Sequence, residues 1–379
     1  MAHRVYGDRE MQLLSEVITS GRLGALDGPF TSRFEEEFAR MMGAKYAVAM
    51  NCAMSVLHTS VMCADAGAGT EVICDPVFVF GALSALYNNA VPRFVDIDPD
   101  SLTLDPGKLE AAINERTRAI IVTHAWGLPA DMDPIMEIAH RHNLIVIEDI
   151  AHAILATYKG RYTGSLGDIG SFSFQASKQM SLGDGGMATT SDEGLAKTLD
   201  LNAGAPTFFA VAHGLHYNYR MNELTAAVGV AQLERLPELI RGLQGNAQYY
   251  DDAVAGCKWL PLQSAPDAQS TYHFWVANFR GEEHGLSLDE FRKALQDSKC
   301  GVSIGYTGMT AYQHPVIKDR MAHAFHCGAV AEKVEYPEGL CPIAERAIPR
   351  MVLAYTLQPE DAAKACAEKL HALIARLEG

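Results

Sequence analysis

The sequence predicts an α/β protein built on a largely parallel sheet, followed by a smaller α+β unit. Three observations lead there. Short, near-continuous apolar runs recur through the first two thirds of the chain, helical stretches separate most of them, and the pattern changes beyond about residue 255. Runs that are apolar at nearly every residue suit strands buried on both faces. Strands that alternate with helices imply parallel pairing through right-handed crossovers.

Taken in order, KYAVAM (45–50), EVICD (71–75), RFVDID (93–98), AIIVTH (119–124) and LIVIED (144–149) are the strand candidates. MDPIMEIAHRH (132–142) is representative of the helices between them. YKGRYTG (158–164) carries a Lys-Gly pair between short flanks, a hairpin signal. The aromatic run that begins at Phe172 stops at Lys178, with the glycines of GDGG behind it. From Asn222 the chain turns helical: Asn222 is an N-cap candidate, Glu223 suits the first turn, and Leu224, Val228 and Ala231 follow at helical spacing to about residue 255. Then TYHFWVANFR (271–280) reads as a strand and SLDEFRKALQDS (287–298) as a capped helix. A last helix from Pro359 puts Ala363, Cys366, Leu370, Leu373 and Leu377 on one face.

Composition narrows the function. The 379 residues are 48% hydrophobic and 20% charged, enough for a large core and a further domain. The net charge of −15 comes without a basic block, which argues against a nucleic-acid partner. Eight scattered cysteines with no CxxC pair read as reduced core residues, so neither a disulfide framework nor a metal site is expected. No apolar stretch is long enough to span a bilayer, and MAHRVYGDREMQLLSEV lacks the apolar core of a signal peptide. A cytoplasmic location is the expectation.

In an open parallel sheet, ligands bind outside the carboxyl ends of the strands. LIVIED ends there in Glu148-Asp149, with His152 three residues on. A carboxylate at that place can meet a bound ring; its plain reading is a solvated loop acid or a helix cap. SFSFQASK brings Ser171, Ser173, Ser177 and Lys178 to another strand end. Hydroxyls and a cation can hold a phosphate there, and a lysine can form a Schiff base with an aldehyde cofactor; an ordinary turn charge is the plain alternative. GSLGDIG (164–170) follows the hairpin and GAGT (67–70) precedes a strand, so neither fits a dinucleotide fingerprint. GVSIG (301–305) matches the G-x-S-x-G nucleophile pattern, but DSKC before it and YTGMT after it supply no strand-turn-helix context. A serine hydrolase at Ser303 is therefore a rival without support around it.

Taken together, the motifs resemble the DegT/DnrJ/EryC1/StrS family of pyridoxal-phosphate sugar aminotransferases. The resemblance runs from GPFTSRFEEEF (28–38) through PRFVDIDPDSLTLDP, PADMDPI, IEDIAHA and YKGRYTGSLGDIGSFSFQASKQMSLGDGGM to YNYRMNELTAAVGVAQLERL (217–236), and returns at YPEGLCPIAER (336–346). It implies fold type I: a large domain, residues 1–245, with a mixed, mostly parallel seven-stranded sheet, and a small carboxyl-terminal domain, residues 246–379, against which the helix in residues 1–25 could pack. It also implies a homodimer with shared active sites and pyridoxal 5'-phosphate as cofactor. Residue by residue, Lys178 would form the Schiff base and move the proton, Asp149 would pair with the pyridinium nitrogen, and His152 would sit beside the ring oxygen. Phe80 would stack on the ring. Ser173 and the turn at Met54 and Ser55 would hold the phosphate, and Asn218 would reach the neighbouring subunit's cofactor.

Two departures bear on the substrate. Where many relatives read NGTSALH, this chain has CAMSVLH (52–58), so one phosphate hydroxyl is replaced by Met54. GYTGMTAYQHP (305–315) fits the family's Y-x-P-L-H stretch poorly. Lys178 is a lysine where the family's dehydratases have histidine, which points to transamination. The expected reaction moves an amino group from glutamate or glutamine to a nucleotide-linked keto-sugar, with a free keto-cyclitol as the alternative acceptor. A cofactor- or sugar-binding sensor without turnover is the reading from a different class.

Overall fold

The computed structural model describes residues 4–204, 216–326 and 334–378. Seven strands form the main sheet: β1 (Tyr46–Met50), β2 (Glu71–Cys74), β3 (Val91–Phe94), β4 (Thr117–Thr123), β5 (Ile145–Asp149), β8 (Ile169–Ser173) and β9 (Gly186–Thr190). Between β5 and β8, β6 (Thr157–Tyr158) and β7 (Arg161–Tyr162) make the hairpin that the Lys-Gly pair announces. The order across the main sheet is β1-β9-β8-β5-β4-β2-β3. All neighbours are parallel except β9, which runs antiparallel to both β8 and β1. Val72, Ile73, Ile120, Ile121, Val146 and Ile147 are fully buried, as expected for strands covered on both faces.

One strand ends earlier than its apolar run. RFVDID was expected to be extended to residue 98, but β3 closes at Phe94. The cause is distant in sequence: the Asp96 carboxylate accepts from the amides of Ile343 and Ala344 and so caps the helix Pro342–Ala347. Glu223 behaves in the same way. It opens the helix Glu223–Ala253, yet its carboxylate accepts from Phe30 N (2.7 Å) and Thr31 N (2.8 Å) and caps the helix Phe30–Met42. Asn222 caps its own helix through Thr225 N (2.9 Å).

The helix Glu223–Ala253 is continuous across residue 245 and links the main sheet to a second, three-stranded sheet. That sheet holds β11 (Phe274–Asn278), β12 (Val302–Ile304) and β13 (Met351–Tyr355) in the order β11-β13-β12; β10 (Ala268–Gln269) joins the β6–β7 hairpin instead. A capping box at Ser287 and Glu290 starts the helix Leu288–Ser298, and the last helix runs Glu360–Glu378. The amino-terminal helix Asp8–Ser20, expected against the smaller unit, packs elsewhere. Its Leu13 and Val17 join Phe34, Phe38, Leu233 and Leu236 in the core beneath the main sheet. Salt bridges Arg9–Glu234 and Arg235–Glu10 fasten it there. Ser303 lies inside the antiparallel β12–β13 ladder, so the nucleophile-elbow reading fails on geometry. Among the described residues, no helix is long and apolar enough to cross a membrane.

Candidate active site

The parallel strands deliver their carboxyl ends to one rim, and that rim carries the site. Asp149 is the last residue of β5 and is 4% exposed. Burial pushes its pKa up, while the Ala151 amide, at 3.1 Å, and the charge of Lys178 pull it back. Lys178 stands in the turn after β8, where its own amide donates to Gln175 O (2.9 Å). Its ammonium is held below the usual lysine range by burial, against the opposing field of Asp149. Each residue thus answers to the other's charge, although they come from different strand ends. Gly183 and Gly185, both at positive φ, turn the chain sharply behind the lysine so that Phe174 N reaches Gly185 O (2.9 Å).

Glu148 fixes the end of β5. It accepts from His124 Nε2 (2.8 Å), Gly164 N (2.9 Å), Leu166 N (2.9 Å) and Gly167 N (2.7 Å), with no solvent exposure. His124 Nδ1 in turn accepts from Ala130 N (3.1 Å), so its Nε2 carries the proton that Glu148 receives. With Glu148 committed to structure, Asp149 is the carboxylate left to a ligand.

His152 is buried, and its Nδ1 has no partner among the described residues. Its ring stands edge-on to Phe78 (5.4 Å between centroids, 71°) and stacks on His273 (4.4 Å, 18°). Phe78 also packs against Trp126 and Tyr306. Phe80 was the aromatic expected to stack on the ring. Phe80 lies on the helix Val79–Tyr87 and is 51% exposed, whereas Phe78 precedes that helix in extended conformation and is 6% exposed. Phe78 packs on the His152 ring, while Phe80 opens its side chain to solvent from the first turn of the helix. The Asp75 carboxylate holds it there by accepting from Val77 N (2.8 Å) and Phe78 N (2.9 Å).

The remaining predicted residues meet on the sheet's other half. Ser173 ends β8 opposite Gly186 of β9, and Gly186 pairs on its other side with Met50 of β1. A Cβ at Gly186 would lie 2.6 Å from Cys52 C and 2.7 Å from Ala53 N, so only glycine lets the helix Ala53–Cys63 begin here. That helix start has no side-chain cap, leaving the first-turn amides around Met54 and Ser55 to an incoming anion. Ser55 Oγ itself donates to Asn51 Oδ1 (2.6 Å). Asn218 is exposed, on a segment tied to this region by the Asn51 N to Tyr219 O bond (2.7 Å) and flanked by the stacked rings of Tyr217 and Tyr219. No contact within the chain brings it to Asp149 or Lys178 among the described residues.

Pyridoxal 5'-phosphate fits what is present. An uncapped helix start beside Ser173 suits its phosphate, the Asp149 carboxylate suits its ring nitrogen, the unpartnered His152 suits a polar ring substituent, and Lys178 is the one amine in this cluster. His273, Trp126, Tyr306 and Phe78 were not singled out from the sequence. An isolated histidine in a strand and aromatics in loops look like core, and only long-range packing reveals them.

Comparison with known proteins agrees. The profile of the DegT/DnrJ/EryC1/StrS aminotransferase family matches residues 5–346. Spore coat polysaccharide biosynthesis protein SpsC of Bacillus subtilis is 34% identical over 336 residues, covering 84% of this chain and 85% of that protein. GDP-perosamine synthase of Caulobacter vibrioides is 41% identical over 276 residues, covering 71% and 74% respectively. Among solved structures, an aminotransferase from Psychrobacter cryohalolentis superposes with a TM-score of 0.86 at 28% identity, covering the whole of both chains.

Proposed function

Since the chain belongs to the DegT/DnrJ/EryC1/StrS aminotransferase family and is a pyridoxal-phosphate-dependent aminotransferase, we propose that it moves an amino group from glutamate or glutamine to the ketone of a nucleotide-linked sugar. The observation that carries the reading is the pairing of a buried carboxylate, Asp149, with a partly desolvated lysine, Lys178, at the carboxyl rim of the sheet. The sugar is supported by the relatives, whose names place them in polysaccharide and perosamine synthesis.

When bound, the pyridine ring supplies an electron sink for the charge left on carbon as a proton departs. The protein's residues do the rest. Lys178 would hold the cofactor through Nζ, and as a free amine the same Nζ would take a proton from the substrate carbon and deliver it to the carbon on the far side of the transferred nitrogen. Burial lowers its pKa in the direction that frees a lone pair for this task. Asp149 would face the ring nitrogen, where its carboxylate would favour a proton on that nitrogen. His152 would offer an uncharged hydrogen-bonding nitrogen to the ring oxygen, with Phe78 packed against its imidazole. Ser173, Ser55 and the amides at Met54 receive the phosphate. Asn218 completes the phosphate site of a second copy, which makes the working unit a homodimer, and the large and small units meet near residue 245.

The test is spectroscopic and runs in two halves. Glutamate added to the yellow holoenzyme should bleach its visible absorption, and an acceptor ketone should restore it. Keto-sugar nucleotides and keto-cyclitols offered in parallel decide the acceptor class. A protein that binds the cofactor but does not respond to either amine donor is a sensor, and the proposal fails.

A further inference from the structure

The stack of His152 on His273 carries more than packing. The two rings are 4.4 Å apart and 18° from parallel, and each has an Nδ1 that is shut from solvent without a partner among the described residues. Thr271 Oγ1, two residues before His273, is a third such atom. Buried polar atoms left unpaired are costly, and an aliphatic or phenyl ring would fill the same space without that cost.

The chain also invests in holding His273 in place. Thr271 N donates to Gly127 O (3.0 Å), Gln179 Nε2 donates to Thr271 O (2.9 Å), Gln244 Nε2 donates to Ser270 O (3.0 Å), and the Thr356 hydroxyl donates to Tyr272 O. Tyr272 sits at φ +47°, a left-handed conformation that a non-glycine residue adopts at a cost of ~1 kcal/mol or more. Gly127, at φ +112°, lies so close behind it that a Cβ would be 2.5 Å from Tyr272 N. Gln179 directly follows Lys178, so the clamp ties this segment to the lysine's own turn.

We infer that His273 is a positioning residue for the aminotransferase reaction: its imidazole fixes the plane of the His152 ring and shuts water from the face it covers, so that His152 meets the cofactor as an uncharged hydrogen-bonding group. The inference rests on the cofactor-facing role proposed for His152. Burial pushes His273 down to about 3 and His152 well below its ordinary value, in line with the geometry. The charges that reach the pair are Lys178 on the turn after β8 and Arg4 on the amino-terminal segment, both cationic. Neither ring has a carboxylate partner among the described residues, so none of those residues holds a proton on either.

The experiment follows the bound cofactor's visible absorption against pH in the holoenzyme, for the wild type, His273→Ala, His273→Phe, His152→Gln, and His273→Ala combined with His152→Gln. The wild type and His273→Phe should show no ionisation between about pH 5.5 and 7.5. His273→Ala opens one face of His152 to water and should gain an ionisation near the ordinary histidine value of ~6.5. Below it, the glutamate half-reaction should slow about ten-fold, and both effects should vanish in the double variant. If His273→Ala does not retain the cofactor, His273→Asn carries the same test. A His273→Ala profile that superposes on the wild type overturns the inference, as does a new ionisation that survives in the double variant. If His152→Gln alone leaves the cofactor's absorption and affinity unchanged, the role proposed for His152 fails, and this inference with it.

Discussion

The rings of Phe78 and His152 meet edge to face, 5.4 Å apart, at the point where the sheet's rim would receive a pyridine ring. Phe78 precedes the helix Val79–Tyr87 and Phe80 lies within it, so the two phenylalanines make opposite predictions testable. Phe78→Ala should raise the cofactor's dissociation constant about ten-fold, equivalent to ~1.4 kcal/mol. Phe80→Ala should leave it within about two-fold in the same absorbance titration, since its ring is half in solvent.

Removing the charge at the ring nitrogen should cost catalysis more than binding. Asp149→Asn keeps the shape and the contact to Ala151 N but loses the negative charge. The rate of the glutamate half-reaction, measured by stopped-flow absorbance, should fall on the order of a hundred-fold, as for loss of one preorganised electrostatic group. Asp149→Glu should recover part of it.

Glu148 should matter through stability. Glu148→Ala strands four buried donors: His124 Nε2 and the amides of Gly164, Leu166 and Gly167. Urea unfolding should show a loss of about 3 kcal/mol or more. Glu148→Gln, which keeps one acceptor oxygen, should fall between that and the wild type.

Glu35 supplies a pH signature. Its carboxylate accepts from Ala49 N (2.8 Å), but burial pushes its pKa up to about 7, with Asp200, Glu36 and Glu223 adding like charge. The folded value lies above the unfolded one. The stability it contributes is therefore full below about 4.5 and is lost as pH rises through about 7. Glu35→Gln should match the wild type's melting temperature near pH 4.5 and exceed it above pH 7. A variant that is less stable at high pH would contradict the assignment.

Much of this was legible in the sequence, and the parts that were not share a cause. Apolar runs located every strand of the main sheet that they marked, because burial on both faces leaves a local imprint. Lys178, Asp149 and Ser173 could be placed at strand ends for the same reason. Asp96 was misread as an ordinary strand residue, and Glu223, correctly placed in a first helical turn, hid a second role, because each caps a helix far away in the chain. His273 gave no signal because its partners, His152 and the backbone at Gly127, come from the other side of the fold. Phe78 gave no signal of its own because motif spacing does not say where extended chain gives way to helix.

The central claim is that Lys178 holds the cofactor. Borohydride reduction of the holoenzyme followed by peptide mapping tests it most directly. The expected result is the cofactor's mass on the peptide containing Lys178, with Lys178→Ala neither labelled nor active. Label on a different lysine, or full turnover by Lys178→Ala, would contradict it.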